Sequence, residues 1–259
     1  MDHPRVQPTA VILAAGAGTR LGGTAPRVPK PLTSLLGASL LARALQSVCD
    51  AGLERAVVVT GYRAAEVRAH ADAVAAGLPI DVDVIECKRW REGNGASLLA
   101  AERTVGDRLI VLMADHLTPP AFVRAAATAE LATSSGLLIV DEHLGDVHDL
   151  AEATKVRLDG SRISAVGKQL ASFDAVDTGV FIFDRAVFDA LRCEVGTGGG
   201  ELSGAVQRLA GRGLMRAIRS DGSFWCDVDT PEDLAHVRGV LEREMHRGIV
   251  SASDRVARA

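Results

Sequence analysis

The run LAAGAGTRLGGTAPRVPKPL, Leu13–Leu32, carries four glycines, three cationic side chains and no acid. Asp2 is the only acidic residue before Asp50, whereas Arg5, Arg20, Arg27, Lys30 and Arg43 all fall in that span. Glycine lets backbone come close to a ligand, and free N–H groups can cup phosphate oxygens. Arg20 offers a fork of donors matched to such oxygens, and Lys30 is a point charge held between Pro29 and Pro31. The chemistry predicted is the holding of a small phosphorylated anion. Two common phosphate loops do not account for it. Gly16, Gly18 and Gly22 carry one residue too many for G-x-G-x-x-G, and Lys30 precedes proline where a Walker loop has Ser or Thr.

Two acidic groups follow. Asp115 stands just beyond the apolar strand Leu109–Met113, at the end where open α/β sheets bind ligands. With His116 beside it, this carboxylate suits a metal ion, although capping a helix that follows Thr118 is a competing use. In WCDVDTPEDL, Trp225–Leu234, Asp227 and Asp229 alternate on a strand. They should face opposite sides, so only one can share a ligand with Asp115. Asp229 or Thr230 also suits the cap of a helix opening at Pro231. Gly93-Asn94-Gly95 and Ser97 bring backbone, an amide and a hydroxyl to a helix start, which can read a base edge or simply form a turn. No G-x-S-x-G elbow or paired Cys/His points to a covalent intermediate. His70, His143 and His148 lie in polar segments and are given no role.

The elements that must position these groups follow an α/β pattern. Strands are predicted at Thr9–Ala14, Ala56–Thr60, Ile80–Glu86 and Leu109–Met113, with helices at Ser39–Ala51, Ala64–Ala76 and Ala96–Val105. Another helix follows Pro119 and Pro120, with Thr118 as its cap. This is the order of a doubly wound, mostly parallel sheet. From Gly136 the pattern changes. Leu137–Val140, Thr154–Leu158, Arg162–Val166 and Val176–Phe183 read as strands, with Asp159-Gly160 as a hairpin turn. A helix over Glu201–Gly211, two strands and a helix over Pro231–Arg247 complete the reading. The second half is therefore an antiparallel extension on one edge of the sheet.

Length and composition set outer bounds. The 259 residues suffice for one large α/β domain. It divides at the change of pattern into a first half (1–135), a second half (136–230) and a C-terminal helix and tail (231–259). Aromatics are only 3%, so the core must be built from Ala, Val, Leu and Ile, as in parallel sheets covered by helices. A net charge of −4 argues against a nucleic-acid partner, so the anion signal is local. No run spans a bilayer and no signal peptide is visible, so no membrane insertion and a cytoplasmic location are expected. Cys49, Cys87, Cys193 and Cys226 form no C-x-x-C pair, and free thiols are expected.

The loop G-x-G-T-R-L followed by P-K-P-L resembles the signature of the sugar-phosphate nucleotidyltransferases. MADH (113–116), EATKV (152–156), Gly167-Lys168, DTGVF (177–181) and WCDVDTPEDL bring the resemblance closest to the CTP:inositol-1-phosphate cytidylyltransferases, over nearly the whole chain. The resemblance implies a Rossmann-like fold and a Mg²⁺-dependent joining of CTP to a phosphorylated polyol or sugar. It implies that Ala14, Ala15, Gly16, Gly18 and Thr19 hold the nucleotide, with Asn94, Gly95 and Ser97 at the base. Arg20 and Lys30 take the catalytic place, and Asp115 with Asp229 the metal. Lys155, Lys168, Asp177, Thr178 and Glu201 line the acceptor side. A homodimer and a membrane phosphotransferase, fused or associated, stand as candidate partners. Two alternatives stay open: a transferase using another nucleotide or acceptor, such as dTTP or UTP with a hexose 1-phosphate or CTP with phosphocholine or a phosphonate, and a non-catalytic nucleotide sensor.

Overall fold

β1 (Thr9–Ala14) is buried along its whole length, because parallel strands flank it and helices cover both its faces. Its side chains alternate between two layers: Val11 and Leu13 enter one, Ala10, Ile12 and Ala14 the other. The computed structural model describes residues 7–22 and 28–247; Arg5, Arg27 and the final SASDRVARA lie outside the described residues.

After β1 come a single turn, α1 (Thr19–Gly22), a 3-10 turn at Lys30–Leu32, and a small hairpin of β2 (Ser34–Leu35) and β3 (Ala38–Ser39). Then follow α2 (Leu40–Asp50), β4 (Arg55–Thr60), α3 (Ala64–Ala75), β5 (Asp81–Glu86), α4 (Asn94–Ala100) and β6 (Arg108–Met113). The short β7 (His116–Leu117) leads to α5 (Pro120–Thr128). The second half holds β8 (Gly136–Asp141), β9 (Lys155–Asp159), β10 (Arg162–Gly167) and β11 (Ala175–Asp184). It continues through α6 (Ala186–Gly196), α7 (Leu202–Gly211), β12 (Met215–Arg219), β13 (Cys226–Asp227) and α8 (Pro231–His246).

One nine-stranded sheet runs in the order β5-β4-β1-β6-β11-β8-β12-β10-β9. The first four strands are parallel; β11 reverses direction between β6 and β8, and the β9/β10 hairpin forms the far edge. α4, α6 and α7 cover one face, and α2, α3 and α5 the other. The result is a Rossmann-like α/β sandwich with an antiparallel extension, as the sequence predicts.

Three expectations are corrected. α4 starts at Asn94 and stops at Ala100 instead of reaching Val105. Past Ala100 the backbone tightens into three-residue turns, the Glu102 N–H on the Leu99 carbonyl and the Thr104 N–H on that of Ala101. The Arg185 guanidinium takes the carbonyls of Glu102, Val105 and Gly106, while Val105 is buried in the core. Thr118 does not cap α5: the cap is Pro119, and Pro120 presents no N–H for a threonine oxygen to accept. The sequence reading also passes from β11 straight to the 201–211 helix and omits α6. Val187, Phe188 and Leu191 of α6 are fully buried, each contributing roughly 1.5–3 kcal/mol. Asp184 accepts from the Ala186 N–H at 2.8 Å and starts that helix.

β11 carries the irregularity that matters for function. Its pairing with β8 shifts register between Asp177 and Phe181, and Gly179 there has φ +80°. The bulge sets Thr178 and Gly179 against the His116 ring, just past the carboxyl end of β6.

Candidate functional site

The loop after β1 is shaped around one lysine. Gly18 has φ +66°, and a Cβ there would collide with the Lys30 side chain. Lys30 opens the 3-10 turn between two prolines and is buried, with 7% of its side chain exposed. Its Nζ donates to Asp115 Oδ2 at 2.6 Å and to Asp229 Oδ1. Arg20, on α1, pairs with the other oxygen of Asp229. Arg20, Lys30, Asp115 and Asp229 therefore meet, as the sequence reading expects.

The electrostatics follow from that packing. Burial works against the Lys30 charge, but Asp115, Asp227 and Asp229 outweigh it and push its pKa above the ordinary lysine value. Burial likewise opposes ionised Asp115, and Lys30 with His116 overcome this and hold its carboxyl below the usual range. Asp227 goes the other way. Burial, with help from Asp115 and Asp229, pushes it up to about 6 against His116 and Lys30.

The second acidic segment reaches the site through a short ladder. β13 pairs antiparallel with β7, setting Asp227 opposite His116, and the Val228 N–H donates to the Asp115 carbonyl at 3.0 Å. The strand ends at Asp227, so the expected alternation does not extend to Asp229. Asp227 and Asp229 both come near Asp115, Asp227 directly and Asp229 through the shared Lys30 ammonium. Thr230 and Asp233 form a reciprocal capping box at the start of α8, while the Asp233 carboxylate also accepts from the Asp229 N–H. Thr230 is thus the cap, and the Asp229 side chain stays available for Lys30 and Arg20.

The donors present suit a hard divalent cation. One ligand atom each from Asp115, His116 and Asp227 lies within 4.8 Å of the others. Asp227 Oδ1 is buried without a hydrogen-bond partner, a costly state unless a cation meets it. Asp229, expected beside Asp115 as a ligand, has both oxygens on Lys30 and Arg20 instead.

Two cavities open on this cluster. The smaller, of about 260 Å³, is lined by Ala14, Gly16, Gly18 and Thr19. The larger cleft, of about 990 Å³, runs over β11 toward Asn94, Lys168, Asp177 and Glu201. Arg20, Asp115 and Asp229 border both.

Several predicted residues stand elsewhere. Ala15 is buried, and its carbonyl accepts from the Tyr62 N–H. Gly95 packs against the loop before α7: its N–H donates to the Gly200 carbonyl at 2.7 Å, and a Cβ there would lie 2.7 Å from that oxygen. Ser97 is buried and donates to the Gly93 carbonyl, whereas Asn94 accepts from the Leu202 N–H and borders the cleft. Lys155 is buried, donating to the Ala151 carbonyl at 2.5 Å, and Thr178 donates to Ile139 within the sheet. Neither is among the residues lining the cleft, because strand alternation turns both into the protein interior. Lys168 remains half exposed at the rim, 3.4 Å from Glu152. Asp177 accepts from the Gly179 N–H, and burial pushes its carboxyl up to about 6.

The sequence reading assigned no role to other groups in the cleft wall. Trp225 donates to Asp141 Oδ2 at 2.8 Å and lies against the His116 ring. His143 and His148 also border the cleft, while His70 lies apart, on Ser39. The spacing Asp141-x-His143 at the end of β8 is the signal that could have flagged that wall.

A family model, the MobA-like NTP transferase domain, matches residues 10–200. The chain is 39% identical over 230 residues to the bifunctional IPC transferase and DIPP synthase of Rubrobacter xylanophilus, covering 87% of this chain and 50% of that protein. The protein of the same name from Archaeoglobus fulgidus is 34% identical over 247 residues, covering 94% of this chain and 44% of that protein. The chain spans about half the length of the curated relatives it matches. The solved inositol-1-phosphate CTP transferase from T. maritima superimposes with a TM-score of 0.80 at 26% identity, covering 94% of this chain and 98% of that one.

Proposed function

Because the chain belongs to the MobA-like NTP transferase family, we propose that it is a cytidylyltransferase joining CTP to inositol 1-phosphate with release of pyrophosphate. The observation that carries this reading is the shared wall. Arg20, Asp115 and Asp229 border both the glycine-lined cavity and the large cleft, so a triphosphate and a phosphorylated acceptor would meet on them. The names of the relatives and of the T. maritima structure support the choice of substrates.

In this reading an acceptor phosphate oxygen attacks the α-phosphorus of CTP in line. The bond to the β-phosphate oxygen breaks, and pyrophosphate leaves with that electron pair. The attacking oxygen is already anionic, so no general base is required; alignment and charge neutralisation do the work. Lys30 and Arg20 face the triphosphate, and Asp229 keeps the two cations side by side. Mg²⁺, which takes a few carboxylates together with phosphate oxygens, would be held by Asp115 and Asp227 and would neutralise charge on the triphosphate. Lys168 holds the acceptor phosphate, and Asp177 and Glu201 face its hydroxyls. The bifunctional names of the relatives extend the proposal to a partner phosphotransferase that consumes the CDP-linked product.

A pyrophosphate-release screen crossing four nucleoside triphosphates with inositol 1-phosphate, hexose 1-phosphates, phosphocholine and a phosphonate tests this. Turnover with CTP and inositol 1-phosphate well above every other pair is expected. A better rate with another pair reassigns the substrates, and nucleotide binding without release for any acceptor overturns the enzyme reading.

A further inference from the structure

His116 is built into the site more carefully than a neighbour of a ligand needs to be. Its Nδ1 lies 3.1 Å from the Thr178 carbonyl oxygen, which can only accept, so Nδ1 carries the proton. Nε2 faces the opposite way, 3.7 Å from Asp227 Oδ1 and 3.9 Å from Asp115 Oδ1. Both separations are too long for hydrogen bonds. They suit neighbours around one ion: ligands about 2.1 Å from a common cation lie roughly 3.0–4.2 Å apart, according to the angle.

The ring is held in that attitude from three sides. Trp225 stacks on it, and β7–β13 pairing fixes its backbone opposite Asp227. Gly179, in the β11 bulge, leaves room where any Cβ would strike Nδ1. The Asp115 carboxylate is divided, with Oδ2 on Lys30 and Oδ1 turned toward His116. A backbone carbonyl holding one ring nitrogen while the other points into carboxylates is the usual arrangement of an imidazole ligand.

We propose that His116 Nε2 is a direct ligand of the catalytic cation, together with Asp115 Oδ1 and Asp227 Oδ1, and that this nitrogen biases the site toward Mn²⁺ or Co²⁺ over Mg²⁺. The proposal rests on reading the cluster as a cation centre and concerns which ion it takes and through which atoms. Oxygen ligands alone suit Mg²⁺, whereas imidazole adds affinity along the first-row series.

Pulsed electron paramagnetic resonance on the purified chain with one equivalent of Mn²⁺ tests it. The expected spectrum shows coupling to a directly bound ¹⁴N nucleus, absent in His116→Gln and converted to a ¹⁵N pattern in wild-type chain labelled with ¹⁵N-histidine. Titration should require at least tenfold less Mg²⁺ to displace Mn²⁺ from His116→Gln than from the wild type. Absent coupling, coupling that persists in the variant, or failure to bind one equivalent of Mn²⁺ overturns the assignment. The labelled wild type decides the matter even if the variant does not fold. Pyrophosphate release with Mg²⁺, measured on the same protein, separates the two readings. Turnover without nitrogen coupling removes His116 from the centre and leaves the transferase standing; coupling without turnover does the reverse.

Discussion

Lys30 and Asp229 stand 199 positions apart in the chain, yet the ammonium of one rests on the carboxylate of the other and donates to Asp115 as well. One buried cation thus joins the loop after β1, the end of β6 and the approach to α8.

Replacing that cation separates catalysis from folding only in part. Lys30→Ala is expected to lower turnover by about a hundredfold or more, as loss of a charge-stabilising group usually does. It also leaves Asp115 and Asp229 facing each other, so a fall in melting temperature should accompany the kinetic loss. Pyrophosphate release and thermal unfolding on the same preparation check both. Unchanged kinetics would remove Lys30 from the mechanism.

Lys168 should behave differently. Its pairing with Glu152 is exposed and worth little, so Lys168→Ala should leave stability within about 1 kcal/mol of the wild type. The expected signature is an acceptor KM raised about tenfold or more with the CTP KM unchanged. Equal effects on both substrates would argue against an acceptor role.

Asp177 predicts a pH dependence. Burial lifts its carboxyl to about 6, above the unfolded value of about 3.9. Folding therefore takes up a proton between roughly pH 4 and pH 6, and this group's contribution to stability falls as pH rises through that window. Asp177→Asn keeps an acceptor for the Gly179 N–H and removes the buried charge. Its stability relative to wild type, measured by denaturant unfolding, should be higher at pH 8 than at pH 4 by about 3 kcal/mol. A difference independent of pH would contradict this.

Gly18→Ala tests the loop directly. The substitution meets a positive φ and the Lys30 side chain together, so about 1 kcal/mol or more of stability should be lost. Calorimetry should show weakened CTP binding. Gly16→Ala is the control for the stability loss alone, since no protein atom stands within 4 Å of a Cβ there.

Removal of divalent cations with a chelator should abolish turnover and leave the melting temperature within a few degrees, because the site lies at the edge of the core. Added Mg²⁺ or Mn²⁺ should restore activity; turnover persisting in excess chelator would contradict the role given to Asp115 and Asp227.

The parallel half was legible in the sequence because its strands are continuous apolar runs, such as Val57–Val59 and Leu109–Leu112, buried on both faces. Arg20, Lys30 and Asp115 could be read because charged groups among glycines and strand ends have few packing uses. The relation of Asp227 to Asp229 is not legible, because β13 ends at Asp227 and β-alternation says nothing past its end. Lys155 and Thr178 look polar and available in one dimension; only the sheet shows them turned inward onto carbonyls. Gly95 reads as a ligand-facing glycine, yet its small size serves the Gly200 carbonyl, a partner 105 residues away that no local pattern announces.

The continuity of the sheet carries a consequence for how acceptor choice could be exchanged among relatives. β11 is hydrogen-bonded on one edge to β6 and on the other to β8, and β12 inserts between β8 and β10. The second half of the sheet is therefore no detachable cassette: grafting it whole would tear the seam it shares with β6. The interchangeable parts are the loops that leave the sheet, at 142–154 and 220–225, which reach the cleft without belonging to the ladder.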